Sequence, residues 1–156
     1  MANHKPDVSI IIRTKNEERF IGKTLSAIFN QDVELRFEVI VIDSGSTDQT
    51  REIIRQFKVR LYEIEPDKFT FGYALNCGAG LALGEYIVYL SAHCIPVDSK
   101  WMANLLEPLR SDPSIAATYG NQVPIRGVNP FEEKSLISGF GNGKAHFSNA
   151  NCAIRK

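Results

Sequence analysis

The chain carries no excess of either charge: 18 Lys and Arg stand against 18 Asp and Glu. Without a basic stripe as well, nothing in it points to nucleic acid. No apolar run approaches the roughly 20 residues that span a bilayer, so no transmembrane segment is expected. The opening Met-Ala-Asn-His-Lys-Pro-Asp has no apolar segment and does not read as a secretory signal. Three cysteines, Cys77, Cys94 and Cys152, are odd in number and far apart. They suit buried thiols in a reducing cytosol better than a disulfide frame or a zinc knuckle. There is no G-x-G-x-x-G after the first strand and no P-loop anywhere, which removes two common phosphate-binding turns. Internal repeats, low-complexity stretches and domain linkers are also missing. What is present is 156 residues, 44% of them hydrophobic, enough for one domain spanning 1–156 with a real core.

One stretch organises the rest: Val39-Ile-Val-Ile-Asp-Ser-Gly-Ser-Thr-Asp-Gln-Thr50. Its four β-branched residues, with Phe37, predict a strand buried on both faces and ending at Asp43. Ser44-Gly45 forms a tight turn. Ser46 reads as a helix N-cap, and Gln49 completes a capping box. A helix with Ile53, Ile54 and Phe57 on its apolar side follows. Asp43 and Ser44 then stand at the carboxyl end of a parallel strand beside a helix N-terminus, where open α/β sheets bind ligands and where a nucleotide fits. A strand-to-helix turn with no ligand explains the same residues.

The remaining elements follow a βαβ rhythm, with strands starting at roughly 20–30-residue intervals. Val8–Ile12 is a first buried strand leading into Arg13-Thr-Lys-Asn-Glu-Glu18. Asn16 is a candidate N-cap, Glu17 and Glu18 suit the positive end of a helix, and Ile21, Leu25, Ile28 and Phe29 repeat at helical spacing. Val59–Ile64 alternates and predicts a half-exposed third strand. Tyr73–Leu83 predicts a helix thinned by Gly78 and Gly80, which mark the close approach of a ligand or of packed backbone, with Gly84 as C-cap. Glu85–Leu90 is a fourth strand, ending in the polar Ser91-Ala-His-Cys-Ile-Pro96. Asp98 is a candidate cap for a helix bearing Trp101, Leu105 and Leu106, which Pro108 should disrupt. Ile115–Tyr119 is a short fifth strand. Beyond Gly120 the pattern weakens. Gly139–Gly143 is loop-like and the segment ending at Arg155 reads as a tail, so 120–156 is expected to be a lid or acceptor-side segment and 1–7 a lead.

In this order, the pieces resemble the family 2 glycosyltransferases. Val8–Glu18 is similar to that family's first strand and turn, and Ile42-Asp-Ser-Gly-Ser-Thr-Asp48 to its nucleotide-binding turn. Phe71-Gly-Tyr-Ala-Leu-Asn76 with Ala82-Leu-Gly-Glu85 resembles the helix before its metal strand. Trp101 and Asn149-Ala-Asn-Cys-Ala-Ile-Arg155 fit as well, and Phe-x-Phe-Gly with Ala-Leu-Asn is most similar to the rhamnosyltransferase-like branch. The resemblance implies an α/β, Rossmann-like GT-A fold: a mostly parallel sheet with flanking helices, its C-terminal part incomplete.

The resemblance also implies a chemistry. A nucleoside diphosphate leaves with negative charge, a divalent metal on an acidic D-x-D motif neutralises it, and a downstream acid acts as base on the acceptor hydroxyl. Thr14, Asn16 and Glu17 would lie by the nucleotide, Asp43, Ser44 and Ser46 would hold base and ribose, and Asn76 would face the same cleft. Ser91-Ala-His93 departs from the motif, because Ser91 offers no carboxylate and His93 stands where the main metal ligand belongs. Imidazole accepts Mn²⁺ or Zn²⁺ and suits Mg²⁺ poorly. His93 is therefore a metal ligand, a direct hydrogen-bond donor to the diphosphate, or a strand-end histidine with no role. His4 and His146 have no such context and are taken as structural or solvent-facing. Ser44 replaces a second Asp, which leaves a thymidine or guanosine diphosphate sugar open. Glu132 and Glu133 do not match the base position, so the catalytic base is expected beyond Lys156, in a fragment or a natural short form with exposed apolar surface. The implied activity is inverting sugar transfer to a saccharide or lipid-linked acceptor, in the cytoplasm and peripheral to the inner membrane through that acceptor. A non-catalytic nucleotide- or partner-binding domain is the alternative. A nucleotidyltransferase would need a Gly-rich loop in place of Arg13–Glu18.

Overall fold

A run of β-branched residues that alternates between two buried faces sets the architecture. In the computed structural model, which describes residues 5–123 and 150–156, the first strand is β1, Val8–Thr14. Ile10 and Ile12 point to one side and Ile11 to the other, and all three are fully buried. The order continues α1 (Ile21–Phe29), β2 (Phe37–Asp43), α2 (Thr50–Ile54), β3 (Arg60–Glu63), a 3₁₀ turn (Pro66–Lys68), α3 (Phe71–Leu81), β4 (Tyr86–Ser91), α4 (Trp101–Ser111), β5 (Ala117–Tyr119) and β6 (Asn151–Arg155). The sheet order is β3-β2-β1-β4-β6-β5. β3, β2, β1 and β4 pair in parallel, whereas β6 is antiparallel to both β4 and β5.

Each face has its own core. On one, Ile10, Ile12, Val39, Val41, Val88 and Leu90 pack under Ile21, Leu25 and Ile28 of α1, Ile54 of α2 and Met102, Leu105 and Leu106 of α4. On the other, Ile11, Ile40, Ile42 and Ile87 pack under Ala74 and Leu75 of α3. Each such aliphatic side chain stabilises the fold by about 1.5–3 kcal/mol. Away from the carboxyl edge, Glu38 fastens three neighbours: its oxygens accept from Ser9 Oγ at 2.7 Å, the Leu83 amide at 2.8 Å and Arg60 Nη1 at 2.7 Å. Burial raises the Glu38 carboxyl, but these hydrogen bonds outweigh it and hold the group below its ordinary pKa.

Several local expectations are corrected. Asn16 does not cap α1. That helix starts at Ile21 with Phe20 at its N-cap and no side-chain cap, and the Phe20 and Ile21 amides donate to the Glu17 carbonyl. Ser46 and Gln49 form no capping box, because α2 starts at Thr50, and Asp48 Oδ1 accepts from the Thr50 amide instead. Asp98 accepts from the Lys100 amide, just ahead of α4, which carries Pro108 inside it and runs on to Ser111. Gly84 is not a C-cap. α3 ends at Leu81, and a Cβ on Gly84 would lie 2.6 Å from the Ser9 nitrogen, so glycine is needed there for strand-edge approach. Gly78 sits on Ile11 by packing, while Gly80 has open space around it. The tail at Asn151–Arg155 is a central strand, β6, inserted between β4 and β5. Of the three free thiols only Cys152 is buried, and burial raises its pKa to about 11. His4, Glu132, Glu133, Gly139–Gly143, His146 and most of the expected lid lie outside the described residues.

Candidate functional site

The carboxyl ends of β1 and β2 are laced into one unit. Asp43, fully buried, accepts from the amides of Gly45 at 3.1 Å and Ser46 at 2.9 Å, and also from Ser46 Oγ. Gly45 takes φ +84°, and a Cβ there would come 2.5 Å from Pro66 Cγ. Ser44 donates its amide and its Oγ to the Thr14 carbonyl at 3.1 and 3.2 Å. From the β1 side, Asn16 adopts φ +54°, a left-handed conformation that asparagine tolerates. Its amide donates to Ser46 Oγ at 2.9 Å and its Oδ1 accepts from the Thr47 amide at 2.8 Å. The Glu17 amide donates to Thr50 Oγ1 at 2.7 Å. Asp43, Ser44 and Ser46 therefore build the turn, with their polar atoms turned to each other and to the β1 loop.

Beside this scaffold lies a cleft of about 280 Å³ lined by Arg13, Thr14, Lys15, Glu17, Phe69, Phe71, Ser91 and His93. Arg13 donates from Nη2 to Ser91 Oγ at 3.1 Å, and its guanidinium lies 4.4 Å from the centroid of the Phe71 ring. Phe71 meets Phe69 edge to face at 5.4 Å. Burial lowers the Arg13 pKa, against the raising effects of Cys94 and Glu17. Burial also raises the Cys94 thiol. His93 Nδ1 lies 2.8 Å from Glu17 Oε1, with the histidine side chain 53% exposed and the glutamate 21%. Nδ1 and the carboxylate share this hydrogen bond, and Nε2 is the second ring nitrogen. Two polar atoms of lining residues, Arg13 Nε and Thr14 Oγ1, are buried with no partner.

Of the residues singled out in the sequence, Thr14, Glu17, Ser91 and His93 line the cleft, while Asn16, Asp43, Ser44 and Ser46 stand behind it. Asn76 is exposed on α3 and outside the lining. Arg13, Lys15, Phe69 and Phe71 carried no side-chain role in the sequence reading. A signal was available for Arg13: two residues past Ile11 on a strand, it shares the face that α3 covers.

A divalent metal fits this donor set poorly. Mg²⁺ and Mn²⁺ favour carboxylate, carbonyl and water oxygens. Glu17 is the one carboxylate in the lining, it is held on His93, and the Ser91 hydroxyl faces a guanidinium. Among the described residues no group of three His, Cys, Asp or Glu comes together.

A mostly parallel sheet with helices on both faces and a cleft at its carboxyl edge is the architecture of an α/β protein of the GT-A kind. Residues 9–154 match the family model Glycosyl transferase family 2, and the chain belongs to that family. It is 33% identical over 125 residues to the O-antigen chain rhamnosyltransferase RfbN of Salmonella typhimurium, covering 79% of this chain and 39% of that protein. It is 31% identical over 125 residues to a dolichyl N-acetyl-alpha-D-glucosaminyl phosphate 3-beta-D-2,3-diacetamido-2,3-dideoxy-beta-D-glucuronosyltransferase of Methanococcus voltae, covering 72% and 38%. The chain thus spans about two fifths of the length of these relatives. Among solved structures, the mannosyltransferase PcManGT of Pyrobaculum calidifontis, in complex with GDP-Man and Mn²⁺, superposes with a TM-score of 0.70 at 24% identity, covering 98% of this chain and 45% of that one. At that identity the likeness speaks for the fold. No helix among the described residues is long and apolar enough to cross a membrane.

Proposed function

We propose that this chain forms the donor-binding part of a glycosyltransferase that moves a sugar from a nucleoside diphosphate to a saccharide or lipid-linked acceptor. The observation that carries the reading is the cleft itself, in which Arg13, Lys15 and the unpartnered Thr14 hydroxyl meet at the carboxyl edge of parallel strands. Phosphate oxygens would accept from all three, and the half-buried guanidinium would present a planar fork to them. The laced turn of Asp43, Ser44 and Ser46, with Asn16, would shape the base and ribose side. Thr14, Glu17, Ser91 and His93 would face the diphosphate. Asn76 takes no part in the proposed contacts.

The transfer would be a single displacement at the anomeric carbon, inverting it, with the acceptor oxygen attacking as the diphosphate leaves. Positioning and charge stabilisation of the leaving group are what this part of the chain can supply. We assign the acceptor base to none of the described residues, since Glu17 is held on His93. A lipid-linked acceptor would bring the protein to the cytoplasmic face of the inner membrane.

A second reading, nucleotide binding without turnover, draws on Ser91 and His93 standing where carboxylates are expected. A titration of GDP, UDP, dTDP and NAD, followed by melting temperature, tests the donor site, because binding to the folded state raises the melting point by mass action. One nucleoside diphosphate is expected to stabilise the chain and NAD to leave it unchanged. Equal response to NAD, or none to any diphosphate, would overturn the proposal. Release of the diphosphate from the matching sugar nucleotide, measured with acceptor present, separates an enzyme from a binding domain.

A further inference from the structure

We propose that the donor's diphosphate is held in this cleft by side-chain cations, with Arg13 taking the place a divalent metal would otherwise fill. The inference rests on the donor-site reading and deepens it. Three independent observations carry it.

The first is the position of the guanidinium. Ser91 and His93 occupy the strand-end positions where the family resemblance puts carboxylates, and the partner of Ser91 Oγ is Arg13 Nη2 at 3.1 Å. Where the resemblance puts two carboxylates and a dication, this locus carries a hydroxyl, an imidazole and a guanidinium. The cleft carries two fixed cations, Arg13 and Lys15, and one carboxylate, Glu17. A diphosphate is attracted to that balance without added metal. A dication would enter against the guanidinium.

The second is the pair of orphaned donors. Thr14 is 5% exposed and its Oγ1 has no partner, and Arg13 Nε is buried without one. An unsatisfied buried polar group is destabilising, and a phosphate oxygen accepting from each would relieve it. Both atoms belong to lining residues of the same cleft. A metal ion would satisfy neither nitrogen nor a hydroxyl proton, whereas an anion satisfies both.

The third is rigidity. Arg13 leaves β1, its guanidinium lies over the Phe71 ring at 4.4 Å, and Phe71 is braced by Phe69 at 5.4 Å. A guanidinium fixed by a strand, an aromatic face and a serine loses little entropy when it grips a phosphate. His93, tied through Nδ1 to Glu17, keeps Nε2 available on the same wall.

The test is calorimetric titration of this chain with GDP, UDP and dTDP, each in excess EDTA and again in excess Mn²⁺. The best nucleotide is expected to bind in EDTA, with Kd changed by less than about threefold when Mn²⁺ replaces it. Binding that requires Mn²⁺, or tightens more than about tenfold with it, overturns the inference and leaves the donor-site reading standing. No binding under either condition overturns both. Arg13→Gln is expected to weaken the best diphosphate in EDTA by about tenfold or more while leaving the corresponding free nucleoside within about twofold, a split that a merely structural arginine would not give. Lys15→Ala, at an exposed position, should show the same split without endangering the fold. If both variants bind the diphosphate as the parent does, side-chain cations do not hold it.

Discussion

At the scale of single residues, Asp43 shows how a motif can be read correctly in place and incompletely in role. Its carboxylate lies at the predicted strand end, yet its two oxygens collect the Gly45 and Ser46 amides and the Ser46 hydroxyl. Asp43→Ala strands those donors, so the unfolding free energy in urea should fall by about 2–3 kcal/mol. Asp43→Asn keeps one acceptor oxygen and should lose less than half as much. The alanine variant should also bind the diphosphate about 1–3 kcal/mol more weakly, because the turn that would shape the base site is loosened. A fully stable alanine variant would show that the turn holds without its carboxylate.

At the scale of elements, α3 gives a prediction in which two neighbouring glycines move stability in opposite directions. A Cβ on Gly78 would fall 2.4 Å from Cγ2 of Ile11, a fully buried β-branched side chain with nowhere to turn. Gly78→Ala should therefore cost about 1–3 kcal/mol by overpacking. Gly80 has nothing within 4 Å, so Gly80→Ala should gain about 0.5–1 kcal/mol of helix stability. Urea denaturation of the two variants checks the pair, and a shared sign would mean that α3 does not lie on Ile11 in this way. Composition marked both glycines equally; only the crossing of α3 over β1 tells them apart.

At the scale of the whole molecule, β6 holds the far side of the sheet. It pairs with β4 from Tyr86↔Arg155 to Leu90↔Asn151 and supplies the partner of β5. It also receives Trp101 Nε1 on Asn151 Oδ1 at 3.1 Å, and its flanking Lys156 amide donates to the Glu85 carbonyl at 2.8 Å. Removing residues 150–156 would bare the β4 edge and leave β5 unpaired, an open template for association. Such a shortened chain should lose its cooperative thermal transition and scatter light on standing. A sharp melt with native far-UV circular dichroism would mean instead that the four parallel strands suffice.

The sequence by itself determined the parallel part of the fold and the edge at which the site lies. Val8–Ile12, Val39–Ile42 and Tyr86–Leu90 are short β-branched or aromatic runs separated by helical periods, and short-range patterning of that kind admits few arrangements other than βαβ units. The same patterning put Asp43, Ser44 and Ser91 at strand ends, whereas Thr14 and Glu17 are singled out for the site only by the family resemblance. It could not find the helix starts, because Asn16, Ser46 and Asp98 look like caps locally while Asn16 and Ser46 are claimed by loops about 30 residues away. Nor could it recognise β6, which follows a long irregular stretch and takes its place through pairing with β4. The cleft's chemistry was decided only by tertiary structure. Arg13 and Ser91 are 78 residues apart and His93 and Glu17 are 76 apart, and Phe71 reaches Arg13 only because α3 crosses the face of β1. Local sequence sets which way a side chain leaves its own strand; which distant side chain meets it there is set by the packing of the whole sheet.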